Sequence, residues 1–386
     1  GGDNTFTGDL TVLSGSTTTL TGSADGDVTI AAGGELTLGS AERIADSSNL
    51  DVSGILNTND EETVSSLTAT GTINGEGTVR ALNTDLDGAT VNANLGSGNL
   101  NTAGDTALNG SANADSLTVE NGTLTVNGAL TNNTATVTVE NGTLAANGTI
   151  AASSIDVQGG ANLTTGEAER LSAGVALNSD GTVSLGGDET IGDLSGSGII
   201  ANNGNGLTVN QTSDTVFTGN ITGAGSLTKQ GEAGLTLTNG SDFTGDANIN
   251  AGTLTVSGLL ATNTINVANG ATLTTTAADL LSDGVTLTND GTLNLGGNDT
   301  LTNLFGSDTG VVNLAGNNLL LLGGVDFQGR INGDGGTVST GPGDIILGGD
   351  NTFTGDLTVL SGSTTTLTGS ADGDVTIAAG GELTLG

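Results

Sequence analysis

Residues 116–131 read SLTVENGTLTVNGALT. Leu117, Val119, Leu124 and Val126 alternate with Thr118, Thr123 and Thr125, so an extended backbone puts apolar side chains on one face and hydroxyls on the other. Asn121-Gly122 and Asn127-Gly128 interrupt the alternation, and Asn-Gly is a turn step because both residues tolerate left-handed backbone. The stretch predicts strand, turn, strand. VENGTL recurs at Val119 and Val139, an offset of 20. That spacing is close to one coil of a β-solenoid, in which short strands are joined by tight turns. The fold class it predicts is all-β: a β-solenoid with about 18–20 residues per coil.

Beyond this stretch, three versions of one module appear. They begin at Gly33 (GGELTLGSAERIADSSNLDVSG), Gly160 (GANLTTGEAERLSAGVALNSDG) and Gly270 (GATLTTTAADLLSDGVTLTNDG). The successive offsets are 127 and 110, and the next copy begins at Gly380, a further offset of 110. Residues 348–386 then repeat residues 1–39 letter for letter, an overall period of 347. The organisation expected is one full tandem period over 1–347, with sub-modules near 27–153, 154–263 and 264–373. Residues 348–386 would start the next identical period. The 17-residue difference between modules reads as one coil gained, giving about seven, six and six coils. Equivalent residues 110 apart are expected at the same corner of their coils. Two helix-friendly stretches, SAERIADSSN and EAERLSAG, are expected to form one short turn at most.

The composition suits a narrow solenoid. Of 386 residues 68 are Gly and 6 Phe, with 1 Pro and no Trp, Tyr, Met, Cys or His. Such composition can signal disorder, but periodic Leu, Val and Ile argue for ordered strands. With 42 acidic and 5 basic residues the net charge is −37, which repels nucleic acid and anionic membrane. Arg43, Arg80, Arg170, Lys229 and Arg330 are scattered singly, so there is no basic patch. The apolar run at Leu319–Leu322 is far too short to span a bilayer. Without cysteine there is no disulfide framework, which suits a chain exported unfolded.

One pattern carries a fixed ring: DNTFTGD around Phe6 and Phe353, GSDFTGD around Phe243, and the cousins VFTGN at Phe217 and DFQGR at Phe327. Phe217 and Phe327 are 110 apart, as are Phe243 and Phe353. Recurrence at the structural period is what packing demands, so Phe6, Phe217, Phe243, Phe327 and Phe353 are assigned to the core. The context LTKQGEAGLTLTNGSDFTGDANINAGTLTVSG, residues 227–258, resembles the autotransporter-associated β-strand repeat. The matching positions are Leu235, Leu237, Asn239-Gly240, Phe243-Thr244-Gly245 and Ala251–Val256. The resemblance implies a right-handed parallel β-helix on the outside of a Gram-negative bacterium, in the style of large repetitive surface adhesins and fibre proteins.

Catalytic chemistry is hard to place. Without His and Cys no Ser-His or Cys-His arrangement and no imidazole or thiolate metal site can form. Glu61-Glu62 and Asp188-Glu189 are acidic pairs of the kind glycoside hydrolysis uses, yet the third module has Asn298-Asp299 there and no Tyr or Trp offers sugar stacking. No catalytic, cofactor-binding or metal residues are assigned. Calcium is the one cation the turns would suit, through Asp3-Asn4, Asp25-Gly26-Asp27, Asp115, Asp180-Gly181 and Asn289-Asp290-Gly291, although turn geometry by itself explains acids there. Outward Thr123/Thr125 and Thr253/Thr255 raise an ice-binding reading, weakened by Ser, Asn, Asp and Ala in other coils.

The function expected is structural: the shaft of a long extracellular filament or giant surface fibre built from identical 347-residue repeats. The alternative is an adhesin or autotransporter passenger mediating cell-surface attachment. A β-helix carbohydrate enzyme is the weakest reading. The partners expected are the chain itself, through continuation of the repeat past both ends and fibre bundling, and a cell surface or other cells; nucleic acid and a membrane span are not expected.

Overall fold

The computed structural model describes residues 5–386, with only the backbone of Thr5 and Phe6. The chain divides into two compact units, the first ending at Glu189 and the second running Thr190–Gly386. Each is a β-solenoid of parallel strands, and no helix occurs among the described residues. The Ala-Glu-Arg stretches are bends and short turns, each followed by one bridge residue, Ile44 or Leu171.

One coil shows why the sequence folds this way. Ser116–Val119 is a strand, Glu120–Gly122 a turn, Thr123–Val126 a strand, and Leu130 a single bridge on the third face. In the following coil Thr136–Val139, Thr143–Ala146 and Ile150 repeat the arrangement, pairing Leu117 with Val137, Leu124 with Leu144 and Leu130 with Ile150. The next coil adds Ile155, Leu163 and Leu171 to the same three columns. All nine side chains are at most 3% exposed, so the core is three apolar columns meeting on the axis. Burying each contributes about 1.5–3 kcal/mol. The narrow interior follows from alternation alone, since only every second residue of a strand points inward.

The two units differ in how the module meets the coil. In the first, Val28–Ile30 and its copy Ser154–Val157, one module further on, lie in the same sheet seven strand steps apart, or about 18 residues per coil. In the second, one sheet runs from Leu207–Asn210 to Glu382–Leu385 in nine steps, or about 19 residues per coil. A 110-residue module then spans about five and two-thirds coils, and its copies change face. Thr264–Val267 belongs to that sheet, whereas its copy Val375–Ile377 pairs with Leu357–Val359 in another. This corrects the expectation of shared corners and of six whole coils: turn lengths sum to a coil that does not divide the module.

The duplicated segment repeats four strands in both places, but its first strand pairs in a different register: Phe6 pairs with Ala24, whereas Asn351 pairs with Ala371. Leu10–Val12, Thr17–Leu20, Val28–Ile30 and Glu35–Leu38 have counterparts in Leu357–Val359, Ser363–Leu367, Val375–Ile377 and Glu382–Leu385.

Candidate functional site

The Phe-x-Gly motif is built for packing. Phe217, Phe243 and Phe327 are 0% exposed and Phe353 is 1%; the side chain of Phe6 lies outside the described residues. Each ring sits beside a glycine of the preceding coil: Gly196, Gly223, Gly306 and Gly333. The motif's own glycine also clears space, since a Cβ at Gly219 would lie 2.5 Å from Phe217 Cζ and one at Gly329 would lie 2.6 Å from Phe327 Cζ. Phe217 and Phe327 occupy different sheets, as the module arithmetic requires, but the same local setting. Phe305, which lacks the motif, is 38% exposed.

The acidic pairs do not form carboxylate pairs, because consecutive strand residues point to opposite sides. Glu61 turns outward to an ion pair with Arg80, and Glu62 turns inward to 0% exposure. Asp188 is exposed and Glu189 buried; Asn298 is exposed and Asp299 buried. Glycoside hydrolysis, which needs two carboxyls flanking one bond, has no basis in this arrangement.

The inward acids make a device that the sequence reading missed. Glu62, Glu189 and Asp299 occupy equivalent module positions and face the loop of the preceding coil. Glu62 accepts the Ile44 amide at Oε1 (2.7 Å) and the Arg43 amide at Oε2 (2.9 Å). Glu189 accepts the Arg170 and Leu171 amides at 3.0 and 3.1 Å. Each loop has an acidic residue in left-handed backbone, Glu42, Glu169 or Asp279, whose N–H donates to the carbonyl of Glu61, Asp188 or Asn298. Asp299 is one methylene shorter: its Oδ1 takes the Thr300 amide at 2.8 Å, while Oδ2 is buried without a hydrogen-bond partner. The Leu281 amide pulls on this carboxyl without reaching hydrogen-bond geometry.

Burial pushes the Glu62 carboxyl up to about 7, against the pull of the two amides, with Glu42 adding repulsion. Burial likewise raises Glu189, and lifts Asp299 to about 7 with help from Asp279 and Asp283. The signal was in the sequence as an acid preceding Thr at each module's Glu62 position, but alternation has to place it inside before it means anything. Lys229 is the reverse case: fully buried, its Nζ donates to the carbonyls of Gln230 and Gly231 at 2.8 Å and Ala251 at 3.1 Å, and burial lowers its affinity for the proton.

Three of the turn acids named for calcium accept hydrogen bonds between coils. Asp27 Oδ1 takes the Asn49 amide (2.8 Å), Asp290 Oδ1 the Ser307 amide (2.8 Å), and Asp115 Oδ1 the Asn132 side chain (3.2 Å). Asp3-Asn4 lies outside the described residues. Among the described residues no group of three or more Asp and Glu is placed to hold a metal ion. The threonine columns are broken: Thr125 stacks on Ala145, and Thr253, Thr272 and Thr292 give way to Val311 and Arg330.

At one corner of the first unit stands an asparagine ladder, also unrecognised from sequence. Asn74, Asn92, Asn109, Asn127 and Asn147 each donate Nδ2 to Oδ1 of the asparagine one coil back, Asn57 through Asn127 in turn, at 2.7–3.3 Å. Successive members are offset by anything from 17 to 20, too irregular for a sequence period.

Residues 227–256 and 338–363 match the model of the passenger-associated transport repeat. The chain is similar to autotransporter passengers. Over 215 residues, 55% of this chain, it is 30% identical to the adhesin BmaC autotransporter of Brucella suis biovar 1 (strain 1330), and the match covers 6% of that protein. No solved structure matches. The first matched repeat contains Phe243 and Lys229, and the second contains Phe353. The chain is an autotransporter-passenger-like, adhesin-like repeat protein with a β-solenoid fold. No helix of the described residues is long and apolar enough to cross a membrane.

Proposed function

We propose that this chain is part of the passenger of an autotransporter-type adhesin, a stiff acidic shaft outside the cell that serves cell-surface attachment. The match of the passenger-associated transport repeat to coils with buried Phe-x-Gly rings carries the reading. Similarity to an adhesin autotransporter supports it. The mechanism is mechanical: each coil contacts only its neighbours, so length and stiffness accumulate by adding coils. The acidic surface keeps neighbouring shafts apart, and the partners are a cell surface or other cells. The reading is non-enzymic, and it assigns calcium no role: the turn acids Asp27, Asp115 and Asp290 already accept hydrogen bonds between coils.

A second reading, a free filament of 347-residue periods, rests on the 39-residue identity of 1–39 and 348–386. The similarity to an adhesin weighs toward the first.

Surface display tests the proposal. The chain, fused between a secretion signal and an outer-membrane translocator, should become accessible to added protease and raise attachment of the displaying bacteria over translocator alone. Failure to reach the surface sinks the passenger reading. Reaching the surface with no gain in attachment sinks the adhesin reading, and micrographs of continuous native fibres would favour the filament.

A further inference from the structure

Asn-Gly steps serve two structural purposes here, and the difference has a chemical consequence. In the ladder, Asn109, Asn127 and Asn147 donate their side-chain amides to the coil before. The N–H of the glycine that follows is also engaged: Gly110 donates to Val91 O (3.3 Å), Gly128 to Leu108 O (3.2 Å) and Gly148 to Val126 O (2.7 Å). At Asn269-Gly270 both residues are exposed at the tip of a turn closed by the Ala271 amide on Ala268 O at 2.9 Å. Among the described residues neither the Asn269 side chain nor the Gly270 N–H makes a hydrogen bond. A Cβ built on Gly270 would meet nothing within 4 Å. The equivalent turns of the other modules carry Ala32-Gly33 and Gly159-Gly160, so the third module alone places an asparagine there.

We infer that Asn269 is a site of spontaneous backbone modification, and that the ladder protects the steps at Asn109, Asn127 and Asn147 from the same reaction. The Gly270 backbone nitrogen attacks Asn269 Cγ. A C–N bond forms, the Cγ–Nδ2 bond breaks, and the amide leaves as ammonia with the proton from the Gly270 N–H. Water then opens the five-membered imide at either carbonyl, giving aspartate or isoaspartate and one more negative charge. Gly110, Gly128 and Gly148 must each release a hydrogen bond to the preceding coil before the nitrogen can react, so these steps are limited by local opening.

The full chain, incubated in mildly alkaline buffer folded and in urea, is digested and mapped by mass spectrometry for amide-to-acid conversion. Asn269 should convert in the folded chain at a rate near that in urea. Asn109, Asn127 and Asn147 should convert about tenfold slower folded than in urea, the factor set by an opening free energy of about 1.4 kcal/mol. Asn269→Gln should abolish conversion at that turn while leaving the ladder rates unchanged. Protection of Asn269 equal to that of the ladder, or ladder conversion as fast folded as unfolded, overturns the inference.

Discussion

The loop held by Glu62 in the first unit and the loop facing Asp299 in the second are one device built with a methylene's difference. Glu62 reaches both backbone amides of its loop, at 2.7 and 2.9 Å. Asp299 uses one oxygen on its own neighbour's amide and leaves the other buried and unpaired. Both are almost wholly out of water, and both face an acid in left-handed backbone. A solenoid therefore copies backbone geometry more faithfully than it copies polar satisfaction. Reach decides whether a buried carboxyl steadies its coil or burdens it.

Three measurements put this contrast at risk. The largest effect is expected from Glu62→Ala, which strands two backbone donors and should cost about 2–4 kcal/mol; Asp299→Ala should cost about 1 kcal/mol or less. Hydrogen exchange at Ile44 and Leu281 reads the two loops separately, and loosening should stay within adjacent coils. Equal losses at both loops would erase the distinction.

Next comes pH. The folded carboxyls of Glu62 and Asp299 titrate near 7, above their ordinary range near 4. Between those limits the folded chain holds protons that the unfolded chain releases. Stability is then greatest at the acidic end and falls as pH rises through 7, with little change above it. Chemical denaturation at pH 5 and pH 8 should differ by about 2–4 kcal/mol for the two carboxyls together, with the smaller stability at pH 8. A stability that rises over this range would mean that the amide contacts, rather than burial, govern these groups.

The smallest effect is a gain. Asp299→Glu restores the longer reach and should add about 0.5–1.5 kcal/mol, seen as slower exchange at Leu281. No gain would show that the second loop is shaped differently and not merely under-reached.

Much of the fold was legible in the sequence because alternation and Asn-Gly punctuation are local. The strand-turn-strand reading of Ser116–Thr131 needs no distant residue. The Phe motif was legible for the same reason, since Phe217 and Gly219 sit in one short stretch and clear space for each other. The inward acids were less so: Glu61-Glu62 reads as a pair until a strand separates the two onto opposite sides. The asparagine ladder was not legible, because nothing in the sequence says that Asn92 and Asn109 will stand one above the other.

Local pattern in the chain was enough to establish a β-solenoid of roughly 19-residue coils, its modules, its resemblance to passenger repeats and its acidic surface. Folding settled which face each module copy occupies, which carboxyls lie buried and which asparagines line up. The physical reason is that side-chain direction follows from the backbone's period of two, whereas stacking depends on the sum of all turn lengths around a coil. In the first unit that sum brings a 127-residue module back to its own sheet; in the second, a 110-residue module stops a third of a coil short and its copies move to another face.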